Sequence, residues 1–158
     1  GDEVERAGLQ LPAFAEPTQA ALRARLPVDG SIFGNPVDAP NLATPEAIGT
    51  ALDVVGRVPE VHAMLYHLGF HPIGRWGTGR FGSREFLEPA VEALLAARER
   101  SGKPVLLALQ PPLDVPGLQE FTAARDAFVA AGLPVFYSLR GAATAMARVL
   151  APRWHSRE

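Results

Sequence analysis

The residues with the clearest chemical potential form a polar turn that begins at Gly34. Gly34 supplies backbone freedom, Pro36 fixes one φ angle, and the side chains of Asn35 and Asp38 can bond to nearby backbone amides. Residues 31–33, Ser-Ile-Phe, predict a short buried strand just before the turn. Because ligands of open α/β sheets bind outside the carboxyl ends of strands, this turn is the first candidate site.

Two interpretations of the turn stay open. Asn35 and Asp38 are explained either as turn-forming residues alone or as residues that shape the rim of a phosphate or substrate site. Neither is predicted to act as an acid or a base. The sequence shows no Ser-His-Asp order, P-loop lysine motif or paired-carboxylate pattern, so no catalytic residue is predicted.

A second candidate site is the glycine-rich loop over residues 69–83. Arg75 and Arg80 could hold a phosphate or carboxylate in a bidentate manner, with His71 as a further anion contact. The same arginines could instead pair with a neighbouring domain or face solvent. Trp76, which lies between them, suits an interface.

The same region contains two weaker patterns. Residues 77–82 match G-x-G-x-x-G, but the predicted strand ends about eight residues earlier, so a loop is favoured over dinucleotide binding. His67 and His71 are four residues apart, but they are not on a predicted helix and have no evident third ligand. A hydrogen-bonded role for His67 is therefore favoured over metal binding.

Composition limits the classes of partner. The 158 residues are 47% hydrophobic with a formal net charge of −2, which gives no indication of a nucleic-acid or membrane-surface partner. There is no signal peptide and no apolar run near the roughly 20 residues of a membrane span. With no cysteine, disulfides and Cys-based zinc sites are excluded. A cytoplasmic location fits this composition.

Helix and strand patterns alternate from Thr44 onward, which favours an α/β fold with a parallel sheet and helices on both faces. Upstream, the patterns predict the end of a helix over residues 2–7, a short strand across Leu9–Phe14 and a helix from Pro17 to about Leu26. The later predicted strands are 62–68, 105–109 and 133–137. The later predicted helices run from Thr44 to Val55, Ser83 to Gly102, Leu118 to Gly132 and Ser138 to about Pro152.

Several short motifs, in this order and spacing, resemble the C-terminal CoA-ligase domain of NDP-forming acyl-CoA synthetases, the relatives of succinyl-CoA synthetase. Asn-Pro-Val-Asp is the most specific of them, and the match spans nearly the whole chain. The motifs are Glu3–Leu9, Leu11-Pro12, Thr18-Gln19, Leu22, Leu26-Pro27, Asn35–Asp38, Gly102–Val105, Ala131–Phe136 and Ala142–Leu150.

The resemblance implies a single flavodoxin-like domain, residues 1–158, with a three-layer architecture and a mostly parallel sheet, as a fragment of a larger ligase. Such enzymes join a carboxylic acid to CoA using ATP or GTP with Mg²⁺, through an acyl phosphate and a phosphohistidine. The CoA-binding, phosphohistidine and ATP-grasp domains would be the partners, and self-association into a homo-oligomer stays open. This domain would help to position phosphate, and alone it would be inactive and bind no cofactor.

Two departures from the family are expected to matter. The family opens with a strand and a Gly-Gly phosphate loop that this sequence does not contain, which predicts a partner segment or a rearranged sheet edge. The loop over residues 69–83 matches no family motif. These departures keep a rival open, a non-catalytic module that docks a partner domain or senses acyl-CoA. A third hypothesis is a stand-alone flavodoxin-like domain that binds flavin.

Overall fold

The sheet consists of three parallel strands in the part of the chain that the structure describes. The structure is a computed structural model that describes residues 1–27, 29–39, 44–69, 83–112 and 115–154. The strands, in spatial order, are β1 (Met64–Gly69), β2 (Val105–Gln110) and β3 (Val135–Phe136). Met64 pairs with Val105, and Leu107 pairs with Val135. The predicted α/β class is confirmed.

Helices cover both faces of this sheet and complete a three-layer, flavodoxin-like arrangement. A large core joins the strands to α2, α3, α4 and α5, while a smaller cluster joins the opposite face to α6. The α1 helix packs against α6. The helices are α1 (Asp2–Arg6), α2 (Glu16–Arg23), α3 (Pro45–Gly56), α4 (Arg84–Ser101), α5 (Val115–Ala130) and α6 (Leu139–Trp154).

The position of each strand follows from its side-chain pattern. β2 is apolar and buried from Val105 to Leu109, as expected for a central strand covered on both faces. In β1, Met64 and Leu68 belong to the large core, whereas Leu65 packs against the smaller cluster on the other face. β1 therefore contributes to both apolar layers.

Local signals at the helix ends are largely confirmed. The Thr44 hydroxyl accepts a hydrogen bond from the backbone N–H of Ala47 at 3.3 Å, and Pro45 begins α3. Gly102 ends α4 with a positive φ of 66°. Ser83 occupies the predicted cap position of α4, but its side chain makes no capping hydrogen bond to the helix.

Two predicted strands are wrong. Residues 9–14 form no strand, and residues 31–33 form only an isolated antiparallel bridge between Ile32 and Asp38. Ile32 is also 62% exposed rather than buried. A strand needs a neighbouring ladder to pair its backbone groups, and neither segment has one among the described residues. The apolar residues Phe14 and Phe33 enter the core from irregular backbone instead.

Several predicted elements have shifted ends. The helix expected to reach about Leu26 ends at Arg23, and the strand expected over 62–68 begins at Met64 and ends at Gly69. The last strand shrinks from the predicted 133–137 to Val135–Phe136. The ends of the two strands are set by pairing with the neighbouring strand rather than by local propensity.

Gly49 is expected to respond with opposite signs to a small and a large side chain. A Cβ at this position in α3 would lie 3.4 Å from the Ala93 Cβ of α4, the near edge of ordinary contact. We expect Gly49→Ala to stabilise the fold by about 0.5–1 kcal/mol, because alanine is the better helix former. Gly49→Leu should destabilise it by about 1–3 kcal/mol, because the added atoms push the helices apart. Urea unfolding of both variants tests this prediction. If the free energy of unfolding changed in the same direction in both variants, the prediction would be contradicted.

None of the helices in the described part combines the length and the apolar character that crossing a membrane requires.

Candidate functional site

An open cleft of about 1280 Å³ lies beside β1. β1 forms its floor, and α3 and α6 each contribute apolar side chains to it. The segment Leu9–Phe14 and the turn Asn35–Ala39 also line it. The predicted polar turn therefore borders this cleft.

The turn is held by hydrogen bonds at its base and at its tip. Ile32 and Asp38 exchange two backbone hydrogen bonds, with N···O distances of 2.6 and 2.9 Å. The Asn35 side-chain amide donates to the carbonyl oxygen of Pro12 at 3.1 Å. The Asn35 side chain therefore ties the turn to a distant segment, whereas the sequence predicted a bond to a nearby backbone amide.

The neighbouring wall, Leu9–Phe14, is held by a second side-chain amide. Gln19 donates from Nε2 to the Phe14 carbonyl oxygen at 2.8 Å, while Asn35 holds Pro12. Sequence reasoning missed this segment as part of the cleft, because its apolar spacing indicated a strand. Its tie to Asn35 crosses 23 positions of sequence, a distance at which no local pattern signals a contact.

The structure brings together only some of the predicted site residues. Asn35, Pro36 and Asp38 line the cleft, and Gly34 belongs to the same turn. The predicted anion contacts His71, Arg75 and Arg80, together with Trp76 and the glycine motif at 77–82, lie outside the described residues. The second candidate site therefore remains a prediction.

Further polar side chains reach the cleft from β1 and from the residues before it. His62, Tyr66 and His67 all line it. Burial raises the pKa of the Tyr66 phenol, so this group is a neutral hydroxyl at physiological pH. Within the described ranges, no group of three or more His, Cys, Asp and Glu side chains could hold a metal ion. The described lining thus combines apolar side chains with a few side chains that can form hydrogen bonds.

Two arginine side chains bind the carboxylate of Glu3 in α1, and Arg140 thereby ties α1 to α6 beside the cleft. The Arg140 guanidinium of α6 donates to both carboxylate oxygens of Glu3, at 2.7 and 3.2 Å, and Arg6 adds a contact at 3.1 Å. The hydrogen bond from Arg140, helped by the charges of Arg140 and Arg6, lowers the pKa of Glu3. Val4, next to Glu3, lines the cleft.

We expect α1 to loosen from α6 at acidic pH. Because the pKa of Glu3 is lowered in the folded chain, its ion pair is complete above the ordinary glutamate value of 4.5. The stabilising contribution of this ion pair is lost as pH falls through the lowered pKa that Glu3 has in the folded chain. An NMR titration of the Glu3 carboxyl and the α1 amides should show this transition, and Glu3→Gln should remove it. A Glu3 carboxyl that titrates above 4.5 would contradict the prediction.

Comparison with known proteins finds a solved structure with a similar fold. No protein-family model and no curated protein matches the sequence. Among solved structures, the chain is similar to PH0766 from Pyrococcus horikoshii OT3, with a TM-score of 0.75 and 19% identity. The alignment covers 99% of this chain and 33% of that one, so this chain spans about a third of PH0766. At this identity the likeness shows the fold alone.

Proposed function

We propose that this chain acts as a domain of an acid–CoA ligase of the NDP-forming type. In this proposal the turn from Gly34 to Asp38 helps to position phosphate during acyl-CoA formation. The ordered motifs that resemble the CoA-ligase domain support it, and the flavodoxin-like fold is compatible with it. CoA and ATP or GTP with Mg²⁺ would be held by other domains of the ligase.

The observation that carries the proposal is the position of a fixed polar turn on the rim of an open cleft. An asparagine amide has two N–H donors, and Asn35 uses one to bind Pro12. The second N–H of Asn35 and the backbone N–H groups of Gly34, Asn35 and Val37 are the donors of the turn available to an anion, because Pro36 has no N–H and that of Asp38 is bonded to Ile32. Such neutral donors bind phosphate without a cation.

Asp38 has a different role in this proposal. Its backbone N–H and C=O are both committed to Ile32, and its carboxylate is exposed. A carboxylate repels phosphate, so Asp38 shapes the turn through its backbone rather than touching the anion. This assignment makes Asn35 the residue of the turn with the largest expected effect on phosphate binding.

The isolated 158-residue chain should bind phosphate weakly and form no acyl-CoA. The reason is that the implied phosphohistidine, CoA-binding and nucleotide sites lie on other domains. Incubation with acetate, CoA, Mg²⁺ and ATP or GTP, followed by chromatography, tests the absence of turnover. Broadening of the ³¹P signal of inorganic phosphate on adding the chain tests binding. Measurable turnover would contradict the claim that the domain is incomplete.

The apolar lining of the cleft favours a second candidate function, a non-catalytic module that docks a partner domain or senses acyl-CoA. The apolar contributions come from α3, α6 and β1. This rival predicts that an acyl-CoA shifts resonances of cleft residues while inorganic phosphate does not. Parallel titrations with acetyl-CoA and phosphate distinguish the two functions.

A further inference from the structure

The cleft wall formed by Leu9–Phe14 is held to the rest of the fold by two side-chain amides. Within the described part of the chain, the backbone of residues 10–14 takes part in two hydrogen bonds, and a side-chain amide is the donor in both. Asn35 donates to the Pro12 carbonyl oxygen at 3.1 Å, and Gln19 donates to that of Phe14 at 2.8 Å. The position of Pro12 relative to the turn therefore depends on both amides.

Gln19 lies on a turn of α2 that is fixed in the fold. Leu22, three residues later and on the same side of the helix, is fully buried in the large core. Gln19 itself is half-buried and is not among the residues that line the cleft. It contacts the cleft wall without facing a ligand, so any influence on a ligand must pass through Phe14 and Pro12.

The orientation of the Gln19 amide is set at both of its ends. Its Oε1 accepts a hydrogen bond from Arg23 Nη1 at 3.4 Å, and Arg23 also forms an ion pair with Glu16. Because a guanidinium only donates and a backbone carbonyl only accepts, Oε1 must face Arg23 and Nε2 must face Phe14. The donor of Gln19 is therefore directed at the cleft wall.

We propose that Gln19 is a positioning residue for the anion site at the turn, acting through Phe14 and Pro12 on the side chain of Asn35. This inference rests on the proposed function, since that function makes the turn a phosphate site. With the Phe14 carbonyl held by Gln19, the Pro12 carbonyl stays where one N–H of Asn35 meets it. The other N–H of the same planar amide then keeps one direction toward the anion.

A merely stabilising role for Gln19 predicts different behaviour. Loss of such a hydrogen bond lowers the free energy of unfolding but leaves the direction of the Asn35 amide unchanged. A positioning role predicts that the side-chain amide signals of Asn35 shift in the ligand-free chain when Gln19 is replaced. It also predicts that the effect of Gln19 on phosphate affinity requires the Asn35 side chain, which a double-mutant cycle measures.

The test compares the parent 158-residue chain with Gln19→Met, Asn35→Ala and the double variant. Methionine keeps the length of glutamine and adds no charge, but it has no donor for the Phe14 carbonyl. Phosphate affinity is followed through the Gly34 backbone amide in ¹⁵N-resolved spectra. In the parent background, Gln19→Met should shift the Asn35 Nδ2 signals and weaken the affinity by about threefold or more. In the Asn35→Ala background, it should leave the affinity unchanged.

Ser31→Ala is the matched control for a lost hydrogen bond near the turn. Ser31 also donates to a backbone carbonyl oxygen, that of Pro27 at 2.7 Å, but does not line the cleft. This control should change neither the Asn35 Nδ2 signals nor the affinity for phosphate. Urea unfolding confirms that each variant is folded, and Gln19→Ala, with the same expected results, replaces Gln19→Met if methionine prevents folding.

The proposal is overturned if the Asn35 Nδ2 signals of Gln19→Met match those of the parent chain. It is also overturned if Gln19→Met weakens phosphate binding equally with and without the Asn35 side chain. If phosphate shifts no signal of the parent chain, the proposed function fails. The Nδ2 signals of the ligand-free chain then decide the positioning role alone: a shift absent from Ser31→Ala supports it, and no shift overturns it.

Discussion

Phe128→Ala is expected to lower the free energy of unfolding by about 3–5 kcal/mol, whereas Val129→Ala should change it by no more than about 0.5 kcal/mol. The two residues are neighbours on α5, yet Phe128 is fully buried in the large core and Val129 is 56% exposed. Removing the ring leaves a cavity in the large core. Removing two exposed methyl groups leaves none.

Urea unfolding followed by circular dichroism measures both changes. For a chain of this size each kcal/mol corresponds to a shift of about 2–4 °C in Tm, so Phe128→Ala should lower Tm by roughly 6–20 °C. Similar losses for both variants would mean that α5 is packed differently from the arrangement described. The Val129 variant is the matched control because it lies on the same helix turn.

Asn35→Ala is expected to weaken the affinity of the chain for inorganic phosphate at least tenfold, whereas Ser31→Ala should leave this affinity unchanged. Each substitution removes one side-chain donor to a backbone carbonyl: Asn35 to Pro12 at 3.1 Å, and Ser31 to Pro27 at 2.7 Å. Each should therefore cost stability of similar size, about 1 kcal/mol. Only Asn35 lines the cleft, so only its loss should affect the anion.

The measurement is a ³¹P or ¹⁵N NMR titration of the two variants beside the parent chain, with urea unfolding to confirm that their stabilities match. An equal loss of phosphate response in both variants would show that turn stability, rather than the Asn35 amide, governs the response. An undiminished response in Asn35→Ala would remove Asn35 from the proposed site.

The sequence predicted those elements whose residues carry local or periodic signals. Thr44 and Pro45 at the start of α3, Gly102 at the end of α4 and the continuous apolar run of β2 all have their expected roles. These signals work because capping, a positive φ and two-faced burial depend on residues close in sequence. The strands at 9–14 and 31–33 were wrong because pairing depends on a distant neighbour.

Only those residues of the candidate site that form a local pattern were predicted from the sequence. The composition of the turn identified Asn35, Pro36 and Asp38, and the structure places all three on one cleft. The tie from Asn35 to Pro12, and the contribution of α1 and α6 to the lining, arise from tertiary packing and have no sequence signal. The turn does not follow a buried strand as predicted. Ile32 is exposed, and the base of the turn is an isolated bridge between Ile32 and Asp38.

The most direct test of the proposed phosphate role is a ¹⁵N-resolved titration of the 158-residue chain with inorganic phosphate at constant ionic strength. The account predicts progressive shifts of the Gly34 and Asn35 backbone amides and of the Asn35 side-chain amide, with the Leu107 amide in the sheet unmoved. Sulfate and chloride at equal ionic strength serve as the anion controls. If the Gly34 and Asn35 signals stay fixed while amides of the loop over residues 69–83 respond, the phosphate site is not at this turn.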